Sequence, residues 1–496
     1  MINDKKLETF EEYSTPSGIK YKELETKIDN FISQYINKTI SGAQISITKN
    51  DKIIFSKGYG LANREKNIIT DKYTSFNYCS ISKLFIWVSA MQLFEQNKLD
   101  LNKDIKEYLP KNYPLHLKYK KPITFLNLMN HNAGFESFWK YYDGTGSSSD
   151  FNSLEESIHR GYSGIQCFEP NKIQGYSNYG ASLASLIIEQ ISGTEFYKYV
   201  DQNIFQICKM KCCYPERKPN SEIMKNKAVG YMLINNNFKI TPVYRSDWLY
   251  PTGSVVGTCE DLSKFAIALM PNKGEASPLF QKKETLDELL KISYTSTGEE
   301  LFSIHHGFWG TDGNFRGLCH TGCVDGMVAN FLIFPQEKFS IAVLVNDDNG
   351  WDISLGVPSL LTSTDYDEDT SLPLPDTKIF EGNYVHPRTQ IENRKKDFDI
   401  IKIKSINKSN IEIRNKNETN IYKQIRPYLF ENITTKNGYK LKCKIYFKVE
   451  DGRVIKAVIA KNDIIPISEV KEYRNFLNFF YFKKFWKRLK QIKSIK

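Results

Sequence analysis

The hydrophobic rhythm of the chain changes several times, and each change marks an element. Between Lys20 and Asn37, apolar residues recur at helical spacing (Ile28, Phe31, Ile32, Tyr35, Ile36), which predicts an amphipathic helix. Ala43–Gly60 (AQISITKNDKIIFSKGYG) reads as two strands turned at Asn50-Asp51, a hairpin. From Ser80 to Gln96 the interior is almost wholly apolar, which predicts a helix buried all round. A mixed, helix-rich stretch follows to about residue 270. Sheet patterning returns in Phe315–Asn346, with three apolar runs and a turn at Pro335–Lys338. Strands at both ends with helices between them predict one sheet built from the two ends of this domain.

The pattern then breaks. Ser363–Asp376 (STDYDEDTSLPLPD) is acidic, contains proline and has no period, as a linker would. After it come short alternating runs, with a strong hairpin turn at Asp451-Gly452, which predict a small antiparallel barrel. The expected layout is an N-terminal extension over 1–25, a main domain over 26–362, the linker over 363–377, a β domain over 378–468 and a tail over 469–496. The fold class is α+β: an antiparallel sheet with flanking helices and a helical subdomain, followed by the small β-barrel. No internal repeat is seen.

Composition narrows the function classes. The 496 residues carry a net charge of +11, and Lys471–Lys496 holds nine Lys/Arg against one acid, Glu472, which leaves +3 for all the rest. A nearly neutral body with a basic tail is not a general nucleic-acid surface. The N-terminus is charged and has no apolar segment of a secretory leader, and no run of about 18 apolar residues occurs. Nine cysteines, irregularly spaced, argue for a reducing compartment rather than a disulfide framework. The expected location is therefore cytoplasmic, with export by a non-classical route as the alternative. In the tail, Phe482, Phe485, Trp486, Leu489 and Ile492 fall on one helical face and cations fill the rest, so peripheral contact of 472–496 with an anionic membrane is a further expectation. Cys319, His320 and Cys323 have no second ligand cluster to pair with, so no metal and no cofactor is expected.

The chemistry centres on Cys79-Ser80-Ile81-Ser82-Lys83. Ser-x-x-Lys is weak alone in so lysine-rich a chain, and Ser46/Lys49 and Ser405/Lys408 also fit it. Those pairs lie on predicted strands, where positions three apart face opposite ways. At a helix start the amine of Lys83 can reach the hydroxyl of Ser80. The helix dipole favours developing negative charge there, and apolar burial of an amine disfavours its charged form, as a lysine base requires. Tyr176 can relay protons and the Asn178 amide can orient an amine or hold a carbonyl. His320-Thr321-Gly322 sits on a predicted strand. Gly322 would let substrate approach the backbone, with the next N–H aimed at an oxyanion. His131, in NHNAGF, reads as a turn residue.

Taken in order, these stretches resemble the serine β-lactamase and penicillin-binding-protein superfamily, in its Tyr-x-Asn branch of class C β-lactamases, D-alanyl-D-alanine carboxypeptidases and related esterases. QNKLDLNKDIKEYLP, PITFLNLMNHNAGF and PTGSVVGTCEDLSKFAIALM are similar to its flanking segments, so the resemblance spans roughly 25–360. It implies Ser80 as the acylated nucleophile, with Lys83 and Tyr176 sharing proton transfers. It implies Asn178, His320, Thr321 and Gly322 as substrate-binding, and the N–H groups of Ser80 and Cys323 as the oxyanion hole. Two departures stand out: Cys79 where a small residue is usual, and His320 where the family carries a lysine. The β domain opening with KIFEGNYVHP resembles the lipocalin-like module often appended to this family. The expected function is a serine hydrolase acting through an acyl-enzyme on a β-lactam, a D-amino-acid peptide or a small ester. A catalytically silent binding protein on the same fold is the alternative.

Overall fold

The computed structural model describes residues 13–135, 153–161, 164–241, 250–311, 315–324, 326–362, 372–387, 400–415, 418–436, 439–440, 443–459 and 462–466. The basic tail, most of the acidic linker and residues 1–12 lie outside them.

The main sheet has nine strands. They are β1 (Gly42–Lys49), β2 (Lys52–Asn63), β3 (Ile68–Ile69), β4 (Tyr294–Thr295), β5 (Ser303–His305), β6 (Phe308–Gly310), β7 (Leu318–Val324), β8 (Met327–Phe334) and β9 (Phe339–Val345). Their order across the sheet is β3-β2-β1-β9-β8-β7-β6-β5-β4. The N-terminal hairpin therefore joins the C-terminal strands directly, with Ala43 opposite Val345 and Ile47 opposite Ile341 in an antiparallel ladder. Asn50, at the turn of that hairpin, takes a positive φ of 56°, which asparagine tolerates.

Alternation along the strands gives the sheet two apolar faces. Ala43, Ile45 and Ile47 pack with Ile341, Val343 and Val345 under α1 (Leu24–Ile32) and a C-terminal helix, Trp351–Thr362. Gly356 of that helix meets the ring of Phe31, and a Cβ there would stand 2.3 Å from its Cζ. The intervening β1 residues face the helix Cys259–Leu269: Ser46 Oγ lies 2.8 Å from Ser263 Oγ, and Gln44 Oε1 accepts from the Cys259 N–H. Within the expected N-terminal extension, Thr15 is buried and the Ser17 N–H donates to the Leu361 carbonyl, so residues 13–23 adhere to this layer.

The long apolar run forms α2 (Lys83–Glu95), buried at every position but Phe94. The α-helix begins at Lys83 rather than at Ser80. Cys79–Ser82 is a 3₁₀ turn leading into it. The polar loop around Tyr176 opens α3 (Asn178–Ser192), which is capped by the Ser177 hydroxyl accepting from the Gly180 N–H and closed by Gly193 in the left-handed region.

The C-terminal module is a closed eight-stranded barrel. Its strands are β10 (Gly382–Val385), β11 (Ile400–Ser405), β12 (Asn410–Arg414), β13 (Thr419–Arg426), β14 (Leu429–Asn432), β15 (Lys444–Glu450), β16 (Arg453–Ile459) and β17 (Asn462–Pro466), with β17 pairing back onto β10. Asp451 and Gly452 both have positive φ, as the Asp-Gly hairpin requires. Phe380, Phe430 and Phe447 meet inside, with ring centroids 4.6–5.6 Å apart, so side chains fill the interior.

Candidate active site

The site is assembled where α2, α3 and β7 converge. The Ser80 turn lies against the sheet because β7 carries a glycine at the contact. A Cβ on Gly322 would stand 2.6 Å from Cys79 Cβ and 2.7 Å from Ser80 N. What the missing side chain admits is thus the serine turn itself, a closer packing demand than the substrate approach expected from sequence. Cys79 has φ 51°, in the left-handed region that glycine occupies without strain. That conformation favours glycine before the serine and strains any residue with a Cβ, cysteine included. The Cys79 N–H is tied to Asn77 Oδ1 at 2.6 Å, and burial pushes its thiol pKa well up.

Ser80 is half-buried, and Lys83 is buried to 1% exposure. Lys83 Nζ lies 3.1 Å from Ser80 Oγ and 2.7 Å from the carbonyl oxygen of Thr252. In the neutral amine, one N–H can hold the Thr252 carbonyl while the lone pair accepts the serine proton. The Tyr176 ring completes this corner, its centroid 5.0 Å from Lys83 Nζ.

Tyr176 packs 4.4 Å from the ring of His131 and 6.2 Å from that of His320, centroid to centroid. His131 also stacks on Trp309 at 5.9 Å, so aromatic rings fix the tyrosine laterally. His131 does sit in a turn, with φ 52°, but it does more: its Nδ1 accepts from the Ser177 N–H and its carbonyl from the Gly175 N–H. Asn178 is buried as the first residue of α3. On β7, His320 is buried, Thr321 half-buried and Cys323 exposed. His320 Nδ1 is 2.7 Å from the Thr321 carbonyl, which can only accept. The neutral ring is therefore the Nδ1–H tautomer, with Nε2 carrying the lone pair.

The structure thus brings Ser80, Lys83, Tyr176, His320 and Gly322 into one cluster. Sequence reading missed the Thr252 carbonyl, the Trp309 wall and the backbone anchors of the Tyr176 loop, which have no motif of their own. Among the described residues, no group of three or more His, Cys, Asp and Glu is placed to hold a metal ion, and no helix is long and apolar enough to cross a membrane.

The family model described as Beta-lactamase matches residues 28–354, a span that contains every element of this cluster. The chain belongs to the Beta-lactamase family. "Protein flp" of Staphylococcus aureus (strain MRSA252) is 24% identical over 324 residues, covering 65% of this chain and 63% of that protein. The chain therefore spans under two thirds of that relative's length. Among solved structures, the octameric penicillin-binding protein homologue from Pyrococcus abyssi is 20% identical with a TM-score of 0.57, covering 90% of this chain and 99% of its own, so the likeness extends into the barrel. A mutant class C β-lactamase is 18% identical with a TM-score of 0.56, over 68% of this chain and 96% of its own. These likenesses show the fold, shared with the penicillin-binding protein homologue and the class C β-lactamase.

Proposed function

We propose that this member of the family is a working serine hydrolase that forms an acyl-enzyme on Ser80, with an amide or ester as substrate. The observation that carries the reading is the 3.1 Å contact between Lys83 Nζ and Ser80 Oγ, made by a lysine buried to 1% exposure. Ser80 Oγ attacks the carbonyl carbon as its proton passes to Lys83, and the carbonyl π pair moves to oxygen, beside the N–H groups of Ser80 and Cys323. Collapse expels the leaving amine or alkoxide, protonated through Lys83 and Tyr176. Water then reverses the sequence and frees the acid.

His320, where the family carries a lysine, gives the His320-Thr321-Gly322 stretch no permanent cation. That favours neutral esters over substrates that carry a carboxylate beside the scissile bond, β-lactams among them. A fluorophosphonate probe is expected to phosphonylate Ser80 with loss of fluoride, raising the mass of the Ser80 peptide by the phosphonyl group. Ser80→Ala should abolish labelling, and Lys83→Met should slow it by on the order of 10²-fold or more. Labelling that persists in Ser80→Ala would refute the assignment, and a wild-type protein inert to fluorophosphonates, penicillins and p-nitrophenyl esters would favour the silent binding protein.

A further inference from the structure

The loop that carries Tyr176 is held from outside its own domain. Each backbone N–H from Gln174 to Ser177 has an acceptor. Gly175 and Ser177 donate to His131, as described above. Gln174 and Tyr176 donate to the barrel: the Gln174 N–H lies 2.8 Å from Asp463 Oδ2, and the Tyr176 N–H 3.2 Å from Asn462 Oδ1. The Asp463 N–H returns a bond to the Gln174 carbonyl at 3.1 Å, so β17 and the loop are laced in both directions.

Asp463 is fully buried, and its two oxygens are both engaged. Oδ1 accepts from Ser296 Oγ at 2.6 Å, and Oδ2 faces Lys456 Nζ at 3.3 Å as well as the loop N–H. Lys456 is also buried, and its Nζ reaches the Lys172 carbonyl at 3.3 Å and Ser296 Oγ at 2.6 Å. Taking an ion pair out of water is costly, and apolar residues of the same volume usually pack there without loss. Ile465 of the same strand packs with Ile165 and Phe168, and the buried pair does what hydrocarbon could not: it fixes backbone groups of the tyrosine loop in register with the barrel.

We infer that Asn462 and Asp463, with Lys456, are positioning residues for the hydrolase site, and that the barrel is a structural part of that site through its hold on Tyr176. The inference rests on the reading of Tyr176 as a proton-transfer group. Asn462 and Asp463 hold the tyrosine backbone, not substrate. Their removal should slow acylation, leave the concentration for half-saturation unchanged, and have no effect once the tyrosine hydroxyl is gone.

The test uses the full chain. Asn462→Leu removes the acceptor at similar size, Asn462→Asp restores it, and Asp463→Asn/Lys456→Met removes the ion pair without stranding a buried charge. Hydrogen exchange by mass spectrometry reads the amides of residues 172–178, and fluorophosphonate labelling reads Ser80. The expected result is about tenfold faster exchange and about tenfold slower labelling in Asn462→Leu, the worth of one hydrogen bond, with recovery in Asn462→Asp. In a Tyr176→Phe background the labelling loss from Asn462→Leu should vanish. Unchanged exchange in both Asn462→Leu and the ion-pair variant overturns the inference whatever the enzyme does. Faster exchange with unchanged labelling overturns the positioning role while leaving Ser80 chemistry intact. A Tyr176→Phe protein that labels at the wild-type rate removes the reading of Tyr176, and the positioning role with it.

Discussion

Gly322 and Ser80 approach so closely that a single methyl group on the glycine would stand 2.7 Å from the serine nitrogen. The serine N–H belongs to the expected oxyanion hole, so packing and chemistry meet at one contact. Gly322→Ala should push β7 away from the Cys79–Ser82 turn. The expected outcome is a loss of ~1–3 kcal/mol in urea unfolding, together with loss of Ser80 labelling. A stable variant that labels at the wild-type rate would show that the turn and strand can part without cost.

His320 sets the charge of the His320-Thr321-Gly322 stretch. With Nδ1 held by the Thr321 carbonyl, the neutral ring has its acceptor at Nε2, and under the proposed function a substrate carboxylate beside it would need a donor. His320→Lys should raise the ratio of kcat/KM for a cephalosporin over that for a neutral ester by about tenfold, the worth of a charge-assisted hydrogen bond. An unchanged ratio would mean that specificity is set elsewhere.

Asp347 follows the end of β9, and its pKa is raised from 3.8 to about 6, chiefly by burial. Its folded value lies above its unfolded one, so the native state binds more protons between about pH 4 and pH 6. Its contribution is therefore most favourable below pH 4 and is lost as pH rises through 6. Urea midpoints of the wild type and Asp347→Asn should diverge across this window, the variant losing the downward slope. Parallel pH profiles would place the carboxyl in an ordinary environment.

The basic tail is expected to bring the chain to an anionic surface, each Lys or Arg near it contributing about 1 kcal/mol at low salt. Full-length protein should sediment with anionic liposomes at low salt, and protein truncated after Val470 should not. If the two behave alike, the aromatic face of the tail packs on protein instead.

The sequence showed most clearly what is local. Ser80 and Lys83 are one turn apart on a predicted helix, which set them apart from the other Ser-x-x-Lys pairs, and Tyr176, two residues before a helix, was singled out by the order of the stretches that resemble the family. The sheet and the barrel followed from period-two patterning and from turn pairs such as Asp451-Gly452. Other features depended on residues distant in sequence. The helix was expected to start at Ser80, and the 3₁₀ turn that replaces its first residues is shaped by Gly322, on a strand nearly half the chain away. Asn462, Asp463 and Lys456 gave no signal, because in a chain rich in lysine and asparagine such residues look like ordinary solvated positions. Only the structure shows that these positions pack against the tyrosine loop.

The pairing of Ala43 with Val345 also bears on how the molecule is made. Emerging from the ribosome, β1 and β2 can form their hairpin early. The partner edge of β1 then stays open until β9 has been synthesised, after the whole helical subdomain. An exposed, apolar strand edge that waits so long is a template for pairing with another chain. Closure of the sheet over long sequence separation is the expected slow step of maturation, and pulse-labelled chains halted before β9 should be far more prone to proteolysis and self-association than chains that extend past it.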